Sequence, residues 1–151
     1  MSAIANIVAF DGAATPVSHT LTPISVSREK GEVIAEYRET GLSTVPAYAQ
    51  PRVTLKLSRL KSGIYRTETR VAIPVMEAVL NQNAAGYTAA PKVAYENTVV
   101  MTGFFHERSS VAERRLARQL AVNIAGGVAT SVTPVTTHAF GELYDLLVAP
   151  T

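Results

Sequence analysis

Three segments between Pro51 and Phe105 alternate apolar and polar residues with a period of two. The segments are Arg52–Ser58, Arg66–Ile73 and Val93–Val99. Side chains of a strand point alternately to the two faces of a sheet, so this period predicts half-buried strands. Each predicted strand has one apolar face and one face of basic or hydrogen-bonding side chains. Paired in register, the three segments predict a sheet with one dry face and one basic face.

The predicted basic face is a candidate surface for RNA. It carries Arg52, Thr54, Lys56, Arg66, Glu68 and Arg70, and we expect Tyr95 and Asn97 to lie on it as well. Between Pro51 and Arg70 there are six basic residues and one acidic residue, which gives a local charge of +5. A concentration of one sign of charge attracts polyanions, and an aromatic ring and an amide suit unpaired bases.

The composition is that of a single globular domain spanning residues 1–151. The chain has 47% hydrophobic and 17% charged residues and a net charge of +2, which favours a packed core over disorder. It has no cysteine, so disulfides and thiolate zinc sites are excluded. The first residues do not resemble a secretory signal, and we expect no segment that spans a membrane.

Three further strands are predicted before the central block. Ile4–Phe10 and Val17–Val26 indicate a hairpin, and Glu32–Thr40 is the next strand. Pro74 is expected to end backbone donation in the second central strand, because proline has no N–H. Glu77–Pro91 is predicted to be a long connection, and loops of this length are usually functional.

The hydrophobic period changes to that of a helix after Phe105. Ser110 and Glu113 fit a capping box, and Gly126-Gly127 is a typical stop. A stripe of apolar residues recurs every four positions at Ala112, Leu116, Leu120 and Ile124. Arg114, Arg115 and Arg118 are expected on an exposed face of this helix. A second helix is predicted over Thr137–Val148.

This order of elements predicts an α+β fold with an antiparallel sheet followed by two helices. Two helices do not easily cover so wide a sheet, so the apolar stripe is expected to lie in a dimer interface. His19, His106 and His138 have no acidic partner at the spacing of metal ligands, and no glycine-rich phosphate loop is present. We therefore expect no metal, no cofactor and no enzymatic activity.

The chain resembles the coat proteins of small single-stranded RNA bacteriophages, the leviviruses. The resemblance spans nearly the whole sequence and depends on the order and spacing of several short motifs. These motifs are Gly31–Tyr37, Val53-Thr54, Val71–Pro74 before the long loop, and Tyr95-Glu96-Asn97 followed by Phe105 and a helix.

The resemblance implies an N-terminal hairpin, a five-stranded antiparallel sheet and two C-terminal helices. Two subunits would form an intertwined homodimer with one continuous sheet. Dimers would assemble into an icosahedral capsid in the bacterial host cytoplasm and package the single-stranded viral RNA. The sheet would bind an RNA hairpin and repress translation of the replicase. The loop of residues 77–91 would line the symmetry axes.

The resemblance also implies roles for individual residues. Tyr95 would stack on an unpaired base, and Asn97 would contact a base. Thr54 would lie in an adenine pocket with Ile34 and with Arg70, which replaces the lysine of the family. Two further pocket positions differ from the family, since Lys56 replaces a serine and Glu68 replaces a threonine. On the basic face we expect Arg52, Lys56 and Arg70 to contact phosphates and Arg66 to bind RNA as well. Glu68 would repel phosphate and would pair with Arg66 or Arg70.

Two alternatives remain open at this point. The polar strand faces are also compatible with an ordinary solvated sheet surface, and Tyr95 with a sheet aromatic. A dimeric cellular RNA-binding protein that regulates translation without assembling is the second functional hypothesis. Electron microscopy separates it from a shell protein.

Overall fold

A computed structural model of the chain describes residues 4–78, 86, 90–130 and 133–151. Its main element is a six-stranded antiparallel sheet in which strands adjacent in sequence are adjacent in space. The strands are β1 (Ile7–Phe10), β2 (Ser18–Glu29), β3 (Glu32–Arg38), β4 (Arg52–Arg59), β5 (Tyr65–Met76) and β6 (Val93–Phe105). A short 3-10 turn, Ala47–Ala49, precedes β4. The α+β class and the strand order agree with the sequence prediction.

The N-terminal hairpin and the sheet share strand β2, so the sheet has six strands where the resemblance implied five. The first residues of β2 pair with β1, from Ser18 to Leu21. From Thr22 onward, β2 pairs with β3. The register shifts between Pro23 and Ser25, and such an irregularity bends a strand locally. The hairpin is therefore a continuation of the sheet.

Strand β5 continues through Pro74, where backbone donation was expected to end. It runs two residues further, to Met76, and Pro74 lies opposite Glu96 of β6. Proline lacks an N–H but keeps its carbonyl acceptor, so a strand can pass through it. Strand β6 is likewise longer than predicted and ends at Phe105. The longest pairing in the sheet thus lies between β5 and β6.

The core lies between one face of the sheet, the helix face, and the C-terminal segment. Tyr37 and Leu55 of the sheet and Leu143 and Tyr144 of the C-terminal segment are almost fully buried. They form one cluster with Ala35, Val53, Leu21 and Ala149. The Tyr144 hydroxyl donates a hydrogen bond of 2.7 Å to the carbonyl of Met101. The end of the chain therefore closes the core over the sheet.

Helix α1 (Val111–Gly126) begins and ends as predicted. The Ser110 Oγ accepts from the Glu113 N–H at 3.3 Å, and the Glu113 carboxylate accepts from the Ser110 N–H at 2.6 Å. This is the predicted capping box. At the other end Gly127 has a φ of 62°, a conformation that glycine adopts without a steric penalty.

The predicted second helix is only partly formed. A single turn, α2 (Ala139–Gly141), continues directly into a π-helical turn, Glu142–Leu146. Leu147 then takes a left-handed conformation with a φ of 55°, which ends the helical segment. The helix predicted over Thr137–Val148 is thus shorter at both ends. It nevertheless places Leu143 and Tyr144 in the core.

Two of the three arginines expected on an exposed helix face are buried. Arg114 and Arg118 lie on the side of α1 that meets the π-helical turn. Asp145, also buried, accepts from Arg118 Nε at 2.8 Å and Nη2 at 2.9 Å, and from Arg115 Nε at 3.0 Å. Arg114 Nε donates to the Asp145 carbonyl at 2.8 Å. The arginines therefore attach α1 to the rest of the chain.

The apolar stripe of α1 points away from the chain's own core. Leu116, Leu120 and Ile124 are 61%, 53% and 78% exposed. The side of α1 that the chain covers is the arginine side, which leaves the stripe uncovered.

Within the described residues, no helix is long and apolar enough to cross a membrane.

The connection predicted over residues 77–91 lies largely outside the described residues. Its base is described. The Glu77 N–H donates to the Lys92 carbonyl at 2.9 Å, and Lys92 Nζ lies 3.1 Å from the Glu77 carboxylate. The Tyr48 hydroxyl donates to the Pro91 carbonyl. These contacts hold the two ends of the connection together.

Candidate nucleic-acid interface

The open face is the side of the sheet that points away from the C-terminal segment. Cross-strand pairs in an antiparallel sheet project to the same side, so the register defines its members. From β3 to β6 they form the rows Glu32–Ser58–Arg66–Phe104, Ile34–Lys56–Glu68–Thr102, Glu36–Thr54–Arg70–Val100 and Arg38–Arg52–Ala72–Thr98. The predicted site residues on β3, β4 and β5 therefore share one face. These residues are Ile34, Arg52, Thr54, Lys56, Arg66, Glu68 and Arg70.

The placement of Tyr95 and Asn97 on that face was wrong. Tyr95 lies opposite Val75, and Asn97 lies opposite Ile73. These β5 residues belong to the helix face, because they alternate with Arg70 and Ala72. The pairing of β6 with β5 is regular from Tyr65–Phe105 to Val75–Tyr95 and shifts only beyond Val75, so both side chains point to the helix face. The sequence alone did not show how the period of β6 aligns with that of β5.

Glu96 occupies the open face in place of these two residues. Its carboxylate pairs with Arg52, and it accepts from Arg70 Nη2 at 3.2 Å and from the Thr98 hydroxyl at 3.2 Å. Burial opposes the charge of Glu96, but the Thr98 hydrogen bond and the two guanidinium groups outweigh it and lower the pKa of this carboxyl. Glu96 thus stays ionised between Arg52 and Arg70.

The open face is balanced in charge, which corrects the local charge of +5 read from the sequence. On strands β2 to β6 it carries five cations, Arg38, Arg52, Lys56, Arg66 and Arg70, and five carboxylates, Glu29, Glu32, Glu36, Glu68 and Glu96. Lys56 Nζ lies 2.6 Å from the Glu32 carboxylate, and Arg66 pairs with Glu68. Four of the five carboxylates, all except Glu68, lie outside residues 51–70, so a count along that stretch missed them.

A groove lies on the helix face between the hairpin and the sheet. Its volume is about 480 Å³. The floor is apolar and is formed by Val53, Leu55, Val71 and Ile73, and Phe10 of the hairpin lines its wall. The chain's own α1 does not fill this groove, because its apolar stripe is exposed. An apolar groove and an exposed apolar helix stripe are thus present in the same chain.

A histidine that the sequence left without a partner joins the hairpin to the sheet beside this groove. His19 Nδ1 donates to Glu39 Oε1 at 2.9 Å, and His19 Nε2 lies 3.6 Å from Asp11 Oδ2. The hydrogen bond and charge of Glu39 raise the pKa of His19 above its ordinary value of 6.5. Glu39 is distant from His19 in sequence, and Asp11 lies across a turn from it. Only the folded chain brings the three side chains together.

His19 is expected to make stability depend on pH. Because its pKa is raised in the folded chain, its contribution is fully present below pH 6.5 and is lost as pH rises through the folded value. We expect the thermal midpoint of the wild type to fall across the neutral to mildly alkaline range. His19→Gln should remove this fall, because glutamine does not titrate.

The measurement is a series of thermal scans of both proteins at constant ionic strength. The contribution of His138 has the opposite sign, since burial and then the charge of Arg118 lower its pKa. His138 is present in both proteins, so their difference reports His19. Parallel curves for the two proteins would contradict a role for the His19–Glu39 contact.

The described residues contain no metal centre. Among residues 4–78, 86, 90–130 and 133–151, no group of three or more His, Asp or Glu side chains is arranged to hold a metal ion.

Comparisons with a protein-family model and with solved structures show which known proteins this chain resembles. The family model for "Levivirus coat protein" matches residues 2–143. Comparison of the sequence with curated proteins gives no match. Among solved structures, a virus-like particle of bacteriophage EMS014 aligns with a TM-score of 0.73 and 28% identity over 99% of both chains. The bacteriophage EMS014 coat protein aligns with a TM-score of 0.65 and 27% identity over 99% of both chains.

A third solved structure agrees with these. A virus-like particle of Beihai levi-like virus 21 aligns with a TM-score of 0.65 and 25% identity, covering 87% of this chain and 98% of that one. The family match covers nearly the whole sequence, and these structures are virus particles or their coat protein. The chain belongs to the levivirus coat protein family and is a structural protein of the phage capsid, not an enzyme.

Proposed function

We propose that this chain functions as an intertwined homodimer, the unit from which a closed shell forms around single-stranded RNA. The observation that carries the proposal is the exposed apolar stripe of α1 together with the unfilled apolar groove on the helix face. Burial of Leu116, Leu120 and Ile124 in the groove of a second copy removes both apolar surfaces from water. The exchange is reciprocal, as a twofold interface requires.

Strand β6 supplies the second part of the dimer interface. Among the strands that the structure describes, it is the last of the sheet and pairs with β5 alone. An uncovered edge of 13 residues offers a row of backbone donors and acceptors to another strand. Val99 and Tyr95, 70% and 59% exposed, lie on its helix face. We assign these two residues, with Asn97, to contact with the partner's α1 rather than to base recognition.

The open face is the proposed RNA surface of the dimer. Arg52, Lys56 and Arg70 point away from the helices, where phosphates would neutralise them. Each of these cations already pairs with a carboxylate, so RNA has to compete with Glu32 and Glu96. This competition favours moderate, salt-sensitive phosphate contacts, which by themselves do not read the RNA sequence. Similarity to levivirus coat proteins extends the proposal to a genomic hairpin and translational repression.

Expression of the full chain in bacteria tests the shell and the RNA together. Negative-stain microscopy of the purified protein should show uniform closed particles, and nuclease treatment should leave protected RNA inside them. Isolated dimers that still bind RNA would instead favour a regulator that does not assemble. Closed particles without RNA would leave the shell assignment intact and refute the RNA part.

Glu96→Gln is expected to strengthen RNA binding. The substitution removes the charge that occupies Arg52 and Arg70 and frees these groups for phosphates. The affinities for unrelated RNAs should all rise, and the salt dependence should steepen by about 0.7 unit for each phosphate gained, the value for single strands. The measurement is a filter-binding titration at several salt concentrations.

Glu107→Gln is the matched control, because it makes the same change in charge beside Arg59, outside the open face. Its effect on RNA binding should be small. Equal gains for the two variants would mean that net charge, and not the Glu96 contacts, limits binding. No gain for Glu96→Gln would place the RNA elsewhere on the protein.

A further inference from the structure

The aromatic residue of the open face is Phe104, not Tyr95. Phe104 lies opposite Arg66 in the last row of the sheet. Its neighbour Phe105 points to the core, where its ring packs edge-on against Tyr144 with centroids 6.1 Å apart. Alternation along β6 therefore turns Phe104 to the other side. It is 62% exposed, which leaves much of its side chain available for contact.

Beyond Glu96, from Thr98 to Phe104, the open-face side of β6 forms an uncharged column next to the charged residues of β5. Thr98, Val100, Thr102 and Phe104 are all exposed and follow each other along the strand. Beside them on β5 lie Arg70, Glu68 and Arg66. Neighbouring strands are about 4.8 Å apart, so the column lies next to the guanidinium groups. A nucleotide has the same two parts, an apolar base and an anionic phosphate.

Among the residues that the structure describes, Phe104 lies outside the hydrophobic core. The core cluster includes Phe105, Phe140 and Tyr144 but not Phe104. An exposed aromatic ring offers a flat face on which bases stack. Arg66, directly opposite, places a guanidinium group beside the ring, and this group also pairs with Glu68.

We infer that Phe104 is a stacking platform for an unpaired base of single-stranded RNA, with Arg66 contacting the adjoining phosphate. The inference rests on the proposed RNA-binding function of the open face. It moves the aromatic contact from Tyr95, on the helix face, to the far end of the same strand. Thr102, exposed beside Phe104, offers a hydroxyl to the edge of the stacked base.

The test compares Phe104→Leu with Tyr95→Leu in the full-length protein, after sedimentation has confirmed dimers of both variants. One probe is a short unstructured RNA of mixed sequence. The second probe is inorganic polyphosphate, which has the charge but no bases. A lost stacking contact of about 1–3 kcal/mol corresponds to a loss of about 5- to 150-fold in affinity.

We expect this loss for Phe104→Leu with the RNA probe and no loss with polyphosphate. Phe104→Tyr should keep wild-type RNA affinity, because tyrosine also stacks. A loss for Tyr95→Leu with none for Phe104→Leu would overturn the inference while RNA binding stands. Equal losses of Phe104→Leu on both probes would overturn the stacking role. If the wild type bound neither probe and its particles held no RNA, the proposed RNA function itself would fail.

Discussion

Replacing Asp145 by asparagine is expected to lower the free energy of unfolding by about 3–5 kcal/mol. Asp145 is 1% exposed and is the carboxylate that balances Arg118, which is itself buried. Burial opposes the charge of Asp145, but the hydrogen bonds from Arg118 and Arg115 outweigh it and lower its pKa. Without the charge of Asp145, a guanidinium group stays buried with no counter-ion.

Chemical unfolding at a fixed protein concentration measures this effect, because stability of a dimer depends on concentration. Glu142→Gln is the control, since it makes the same change in charge on the same turn of the chain. Arg118→Met combined with Asp145→Asn should cost less than the sum of the single changes, because the two side chains form one pair. A loss below about 1 kcal/mol for Asp145→Asn would mean that the pair behaves as a surface ion pair.

Leu120→Lys is expected to abolish dimers and therefore particles. In the single chain Leu120 is exposed, so lysine there disturbs no contact within the subunit. In the proposed dimer, burial of a leucine stabilises by about 1.5–3 kcal/mol, and twofold symmetry doubles this loss. A lysine in an apolar groove also loses its hydration. Sedimentation should detect monomer or unfolded protein, and microscopy should detect no shells.

Ala121→Lys is the control for this experiment. Ala121 is exposed and lies about 100° around the helix axis from Leu120. The substitution Ala121→Lys adds the same charge to α1 but outside the apolar stripe, so dimers and particles should persist. Normal particles from Leu120→Lys would refute the assignment of the stripe to the subunit interface.

The structure confirmed the features that depend on local sequence. The alternation in Arg52–Ser58 and Arg66–Ile73 correctly assigned residues to the two faces, because the period of a strand is fixed by its backbone. The capping box at Ser110 and Glu113 and the stop at Gly127 were also predicted correctly, since each involves neighbouring residues. The resemblance to levivirus coat proteins, which rests on the order of such motifs, was confirmed by the family match.

Only the tertiary structure decided which groups from distant parts of the chain meet. The face of Tyr95 and Asn97 depends on how β6 aligns with β5, and a shift of one residue exchanges the two faces of a strand. The buried position of Arg118 depends on Asp145, far along the chain. The open face does not have the predicted positive charge, because Glu32 and Glu96, from strands outside the basic stretch, pair with Lys56 and Arg52. A linear sequence records the charge of each residue, but only folding determines which opposite charge lies within reach.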